Sequence, residues 1–334
     1  MGLEMNYTIF MTNKCNLNCT YCYEGEKRKK TISYELLDLI INLICKDKSD
    51  DVSVVLHGGE PLLEFEKIKY LINQINRKKK DSKVKYSLTT NGTIMNQEIR
   101  EYLMDNIDTL SISVDGTEKE HDKNRKKIDG EGSYRYVERN IKCYLGDSLD
   151  DITARMTINK DNYKSVSENI IHLINMGFKK ISPVINQFDD WTGEQWEILK
   201  SELKKLKDFL EDNCINVDVG LLNDAKYKCK NSECDGGVTT MTIDADGEIY
   251  PCIVVTGQKD FCIGNIRTGI DFERVCSLHE MDKDKVEVCE GCARYDYCDA
   301  TRCKIINKYQ MGEWNNPSIN ICKIHNIKVA LASE

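Results

Sequence analysis

Three cysteines crowd together near the start of the chain: Cys15, Cys19 and Cys22, spaced Cys-x3-Cys-x2-Cys in the run Lys14 to Tyr23. Three thiolates hold a cubane iron-sulfur cluster and leave its fourth iron open to an exchangeable ligand. A structural zinc site would want a fourth ligand close by, and none follows in this loop. A second set of cysteines lies in the last third of the chain: Cys229, Cys234, Cys252, Cys289, Cys292, Cys298, Cys303 and Cys322. Within it, Cys289-x2-Cys292 is a spacing that also suits tetrahedral zinc. Cys45 and Cys143 fall in helical patterns, where a free cysteine serves as a small buried hydrophobe. Cys214 stands apart. Cys262 and Cys276 lie among the second set, either as packing or beside a substrate.

Between the two sets stand polar elements that close short apolar runs. They are His57-Gly58-Gly59-Glu60-Pro61, Thr89-Thr90-Asn91-Gly92 and Ser111-Ile112-Ser113-Val114-Asp115-Gly116. Each by itself reads as a turn. In this order, behind the cysteine array and with the aromatic Tyr21 before its third cysteine, they resemble the radical S-adenosylmethionine (radical SAM) superfamily. The resemblance implies a cubane on Cys15, Cys19 and Cys22 with S-adenosyl-L-methionine as cofactor. It implies cofactor contacts from Tyr21, from the backbone at Gly58, Gly59 and Glu60, from Asn91, and from Ser113 to the ribose or carboxylate. Arg125 and Arg155 are candidates for the cofactor carboxylate, with a solvated surface charge as the alternative for each.

The second cysteine set carries a resemblance of its own. Cys234, twelve residues, Gly247, four residues and Cys252 are similar to the opening of the C-terminal extension known as SPASM. Thr242 to Pro251 would be its hairpin, turning at Asp246-Gly247. SPASM domains bind two auxiliary [4Fe-4S] clusters, which implies three clusters in all. Cys229, Cys234, Cys252 and Cys303 would hold the first auxiliary cluster, and Cys289, Cys292, Cys298 and Cys322 the second. The chain departs from the family in one respect, having four residues between Cys298 and Cys303 where three are usual.

The elements that must position these residues follow from periodicity. Short β-branched runs at 52–56, 84–89, 109–114, 152–159 and 180–184 follow a first run at 7–11. They alternate with segments of helical spacing such as Leu36, Leu37, Ile40, Ile41 and Ile44. Strand, helix, strand repetition predicts parallel strands with right-handed crossovers. Six such units make an α/β fold, the partial (β/α)6 barrel of the radical SAM family, with its motifs at the C-terminal strand edges. The expected organisation is a barrel over residues 1–190, a bridging helical segment over 191–224 and the SPASM domain over 225–334.

Composition sets limits. With 334 residues and 40% hydrophobic content the chain can bury one large core and a smaller one. Sixteen cysteines without a signal peptide or an apolar run of membrane-spanning length point to a reduced, cytoplasmic protein with no membrane role. A net charge of −8 argues against a nucleic-acid partner. The run Arg77 to Lys80 reads as a helix C-terminal cluster. Lys27 to Lys30 reads as a solvated loop, or as a guide for an acidic peptide.

The resemblance implies that a 5'-deoxyadenosyl radical removes a hydrogen atom from a substrate carbon and that the auxiliary clusters take the substrate electron or ligate its thiolate. Enzymes of this layout mostly modify peptides, forming thioethers or other crosslinks or oxidising side chains. The expected substrate is a ribosomally made, cysteine-containing precursor peptide, with a flavodoxin- or ferredoxin-type reductant as partner. Sulfatase-maturing oxidation is the alternative. Against it, an aspartate usually follows the hairpin-closing cysteine in those enzymes, and Cys252 is followed by Ile253. A SPASM enzyme acting on a small molecule, an iron-sulfur electron carrier and a zinc assembly module are further alternatives. Spacing names no catalytic acid or base: Tyr23, Asp115 and Arg155 merely fall near the expected mouth. It is equally silent on the oligomeric state.

Overall fold

A computed structural model describes residues 4–24, 29–49, 51–79, 83–222, 234–282 and 284–333. The first half runs β1 (Glu4–Thr12), α1 (Tyr34–Lys46), β2 (Asp51–Gly58), α2 (Phe65–Lys78), β3 (Val84–Thr90), α3 (Gln97–Asn106), β4 (Thr109–Ser113), α4 (Glu118–Asn124), α5 (Tyr134–Asn140), β5 (Thr153–Ile158), α6 (Val166–Asn175) and β6 (Lys180–Ile185). Then come α7 (Gly193–Asp212), β7 (Asp218–Val219), β8 (Thr240–Ile243), β9 (Glu248–Tyr250), β10 (Gly264–Asn265), β11 (Gly269–Ile270), α8 (Phe272–Asp282), α9 (Asp299–Arg302), α10 (Lys304–Met311) and α11 (Ile319–Ser333).

Local chemistry accounts for the helix starts. Ser33 caps α1 by accepting from Leu36 N at 3.2 Å, and the five apolar residues at helical spacing are all buried. Asn96 caps α3 through Ile99 N at 2.8 Å, and Thr192 with Gln195 forms a capping box on α7. The basic residues Arg77 and Lys78 close α2, as cations favour that end of a helix. Lys80 and Lys27 lie outside the described residues.

All the strands form one sheet in the order β11-β10-β9-β8-β1-β2-β3-β4-β5-β6-β7, parallel from β8 through β7. The six expected strands are present. Segment 191–224, expected as a bridge, does more: its β7 pairs with β6 and extends the sheet. On the opposite edge β8 of the SPASM hairpin pairs with β1 from Asn6↔Thr240 to Ile9↔Ile243, so β1 is no longer an open edge. A two-residue strand carries no readable alternation, which is why periodicity missed β7.

One apolar core runs under this sheet, from Ile9, Val54 and Leu88 to Met241, Ile243 and Ile263 of the hairpin region and Leu331 of α11. Smaller clusters surround Tyr250 with Cys234 and Cys252, and Cys298 with Ile321. Two expectations for the unassigned cysteines change. Cys143 is exposed within the π-helical turn Ile141–Leu145, and Cys45 is half-buried against the core. A one-residue shift in helical phase at such a turn rotates a side chain away from the face its spacing predicts.

A buried polar tie fastens the hairpin to the end of β1. Asn13 Nδ2 donates to Asp244 Oδ1 at 2.9 Å, and both residues are almost fully buried. Replacing Asn13→Ala removes the donor from a buried carboxylate and is expected to cost about 1–3 kcal/mol, read as a lowered midpoint in denaturant unfolding.

Candidate active site

A cavity of about 540 Å³ opens at the C-terminal strand ends. Cys15, Cys19 and Cys22 line it, together with Tyr21, Gly58, Gly59, Asn91, Ser113, Arg125 and Arg155. Two other depressions, of about 410 and 390 Å³, follow α7 and its exit, away from the cysteines.

The cysteine loop is held from two sides. Asn18 N and Thr20 N donate to Lys126 O at 2.7 Å and Asn124 O at 2.9 Å. Gly59 N and Glu60 N donate to Thr12 O and Lys14 O, each at 2.9 Å. This contact leaves no room for a side chain, since a Cβ at Gly59 would stand 2.3 Å from Lys14 O. At Gly58 it would stand 2.2 Å from Thr12 O, on backbone already at φ +138°. The glycines therefore serve close approach between two loops of the protein as well as any approach to a cofactor.

Glu60 does not line the cavity. Its carboxylate is fully buried and accepts from Leu62 N at 3.0 Å, Thr90 Oγ1 at 2.8 Å and Asn91 N at 2.7 Å. Asn91 in turn donates through Nδ2 to Cys15 Sγ at 3.7 Å, and Leu17 N donates to the same sulfur at 3.4 Å. Two donors thus reach the Cys15 sulfur, and none of the three cysteines is in a disulfide. The loop thus fits a cluster held by thiolates.

Behind Tyr21 lies a buried charge network. Tyr21 Oη donates to Asp115 Oδ2, Arg125 Nε pairs with the same oxygen at 3.1 Å, and Thr157 N donates to Asp115 Oδ1 at 3.0 Å. Asp115 is fully buried rather than at the mouth. Burial pulls the Arg125 guanidinium toward neutrality, but Asp115, then Tyr21 and Cys19, more than compensate and keep it charged. Burial, against the pull of Arg125, keeps the Tyr21 hydroxyl protonated as a donor. Arg155 differs: it lies exposed on β5, and no carboxylate among the described residues pairs with it. It stands opposite Ser113 in the β4–β5 register. Of the two arginines, Arg125 is committed to Asp115, while Arg155 lines the cavity from an exposed position.

Sequence reasoning passed over His57. Gly58 N donates to its Nδ1 at 2.7 Å, so Nε2 carries the hydrogen and faces Tyr23 Oη at 3.5 Å. Burial, then Arg155, pushes its pKa down to about 4. Its place directly before the paired glycines was the available signal.

The second cysteine set forms two groups. Burial, then Cys252 and Cys234, pushes the Cys303 thiol up to about 12, so these three are neighbours. Burial also raises Cys289, helped by Cys322 and Cys292, and raises Cys298, helped by Cys322 and Cys289. Thiols that oppose each other's ionisation are stabilised as thiolates by bound iron, whose positive charge reverses that penalty. The helical turn Asp299–Arg302 spans the unusual spacing from Cys298 to Cys303. Cys229 lies outside the described residues. Cys262 packs beside Cys234 and Cys252, yet its thiol donates to Gly264 O at 3.3 Å.

The Radical SAM superfamily model matches residues 9–168, and the SPASM model, an iron-sulfur cluster-binding domain, matches residues 234–293. A cysteine-type anaerobic sulfatase-maturating enzyme of Clostridium perfringens is 26% identical over 309 residues, which is 84% of this chain and 82% of that protein. The structure of native anSMEcpe with bound AdoMet and Kp18Cys peptide superposes with a TM-score of 0.81 at 20% identity, covering 98% of this chain and 96% of that one. Streptococcus suis SuiB bound to precursor peptide SuiA superposes with a TM-score of 0.71 at 16% identity, covering 96% and 76%. The chain belongs to the radical SAM enzymes that carry a SPASM domain. Its cofactors are S-adenosylmethionine and [4Fe-4S] clusters, and it is related to sulfatase-maturating and peptide-modifying enzymes.

The depressed pKa of His57 has a measurable consequence. Between about pH 6.5 and 4 the unfolded chain holds a proton at this residue that the folded chain lacks. Stability therefore falls as the pH is lowered through that window, by about 1.4 kcal/mol per unit at most from this residue. His121, pushed down by burial and then Arg125, adds to the same limb. Thermal midpoints measured from pH 7 to 4.5 should show a shallower acid limb in His57→Gln than in wild type.

Proposed function

We propose that the protein modifies a ribosomally made, cysteine-containing precursor peptide, joining the substrate thiol to a substrate carbon as a thioether or related crosslink. One observation carries the reading: a single cavity is lined by the first three cysteines and by sequence neighbours of the auxiliary ones. Cys15, Cys19 and Cys22 line it directly. Ile253 and Val254 after Cys252, Asp299 after Cys298, and Ile321 before Cys322 complete its wall. A substrate held there would meet the radical source and the electron acceptors without moving. The peptides in the neighbouring anSMEcpe and SuiB structures support a peptide substrate.

When bound, S-adenosylmethionine and the cluster of Cys15, Cys19 and Cys22 supply the carbon radical that takes a hydrogen atom from the substrate. The chain's own residues orient it. Arg155 and Ser113 would hold the cofactor carboxylate, the backbone at Gly58 and Gly59 its amino group, and Tyr21, braced by Asp115, one face of the loop. Apolar side chains of Met156, Pro183, Val184 and Phe188 line the substrate side and keep water from a reactive carbon. Cys229, Cys234, Cys252 and Cys303 would hold one auxiliary cluster, and Cys289, Cys292, Cys298 and Cys322 the other. We take residues 1–190 as the barrel, 191–224 as the connecting segment and 225–334 as the SPASM domain, in a cytoplasmic enzyme reduced by a flavodoxin- or ferredoxin-type donor.

Oxidation of a cysteine side chain in the sulfatase-maturase manner is the second reading, favoured by the relatives. Against it stands Ile253, an apolar side chain in the cavity wall directly after Cys252.

Anaerobic reconstitution with short cysteine-containing peptides encoded beside the gene, followed by mass analysis, separates the readings. A peptide lighter by a hydrogen pair with its sulfur retained supports crosslinking. Loss of sulfur supports the oxidase reading, and no mass change in any peptide overturns both. Cys15→Ala should abolish 5'-deoxyadenosine formation, while Cys303→Ala and Cys322→Ala should each lower iron content by about four per chain.

A further inference from the structure

One face of α11 forms part of the cavity wall. Ile321, Ile324, His325 and Lys328 stand at i, i+3, i+4 and i+7, and all of them line the cavity. Asp299 of α9 joins them. His325 is 3% exposed, so its imidazole belongs to the enclosed part of this wall.

Few side chains in the cavity could receive a proton. Arg125, Arg155 and Lys328 are cations. Tyr21 donates to Asp115, and Tyr23 is held protonated by burial, then Glu24 and Cys22. His57 has its Nδ1 occupied by Gly58 N. Glu24 sits two residues past Cys22, on the loop where the hydrogen atom is taken. The hairpin contributes Ile253 and Val254, which accept nothing. What remains is His325, with the Asp299 carboxylate near enough to favour its protonated form. Burial, with Arg294 and Lys328, keeps it neutral beforehand. A neutral imidazole that shares a cavity wall with a carboxylate is suited to accept a proton.

We propose that His325 is the general base of the peptide modification, with Asp299 stabilising the imidazolium that forms. This rests on the peptide reading above. Joining a thiol to a carbon removes two hydrogens from the peptide. One leaves the carbon as a hydrogen atom, taken by the cofactor-derived radical. The other leaves the thiol divided, its proton to His325 and one electron to an oxidised auxiliary [4Fe-4S] cluster, as the S–H and C–H bonds break and the C–S bond forms. A general base also serves thiol oxidation, which loses the same proton and electron.

The test uses the reconstituted full chain and the peptide that wild type modifies in the mass screen, with His325→Gln and His325→Ala. Iron content and peptide affinity are measured first, and the reading is product formed per 5'-deoxyadenosine. The proposal expects that ratio to fall about a hundredfold in both variants, with partial recovery of His325→Ala in added imidazole. An unchanged ratio in either variant overturns it while leaving the peptide reading intact, whereas wild type that modifies no peptide sinks both. Should either variant lose iron or peptide, wild type carbethoxylated at His325, mapped by peptide mass, gives the answer. Uncoupling on modification supports the base, and full coupling overturns it.

Discussion

Everything at the cavity depends on the backbone contact between the end of β1 and the paired glycines that end β2. Gly59 and Glu60 donate to Thr12 and Lys14, which sets the cysteine loop directly against its neighbour. From there the chain of bonds continues through the buried Glu60 carboxylate to Thr90 and Asn91, and from Asn91 back to the Cys15 sulfur. Three strand ends are thereby locked into one unit. A fully buried carboxylate that loses its donors is costly, so the unit holds together or fails as a whole.

A second buried charge fixes the other flank. Asp115 serves Tyr21, Arg125 and the backbone of Thr157 at once, tying the cysteine loop to the ends of β4 and β5. Its carboxylate is out of solvent, which makes the pairing with Arg125 strong and leaves neither group free for another partner. The consequence is a division of labour between two arginines that look equivalent by position. Arg125 holds the framework, and Arg155 stays exposed in the cavity wall.

The auxiliary cysteines show how the last third of the chain is made part of the same site. The hairpin joins the sheet through β8 and is pinned by Asn13 and Asp244, so Cys252 is carried to the cavity edge by a strand pairing and a buried hydrogen bond. α9 and α11 add side chains to the cavity wall, while Cys234 and Cys252 pack against the cluster around Tyr250, and Cys298 clusters with Ile321. Iron bound there would connect segments that otherwise share little apolar contact.

The sequence by itself determined the parallel α/β layout, since apolar alternation and helical spacing are local and survive without tertiary context. It also determined the cysteine loop, because three thiols within one short loop can only converge. The spacing from Cys298 to Cys303 was legible, yet the helical turn Asp299–Arg302 that fills it came from the fold. Tertiary structure decided what no spacing carries. It closed β1 with a strand from far along the chain, added the two-residue β7, sent Cys143 to the surface, buried Asp115 and committed Arg125 to it. It also turned one face of α11, and with it His325, toward a cavity whose other wall lies hundreds of residues earlier. The reason is physical: charge pairing, burial and convergence are properties of distance in space, and sequence separation sets no limit on them.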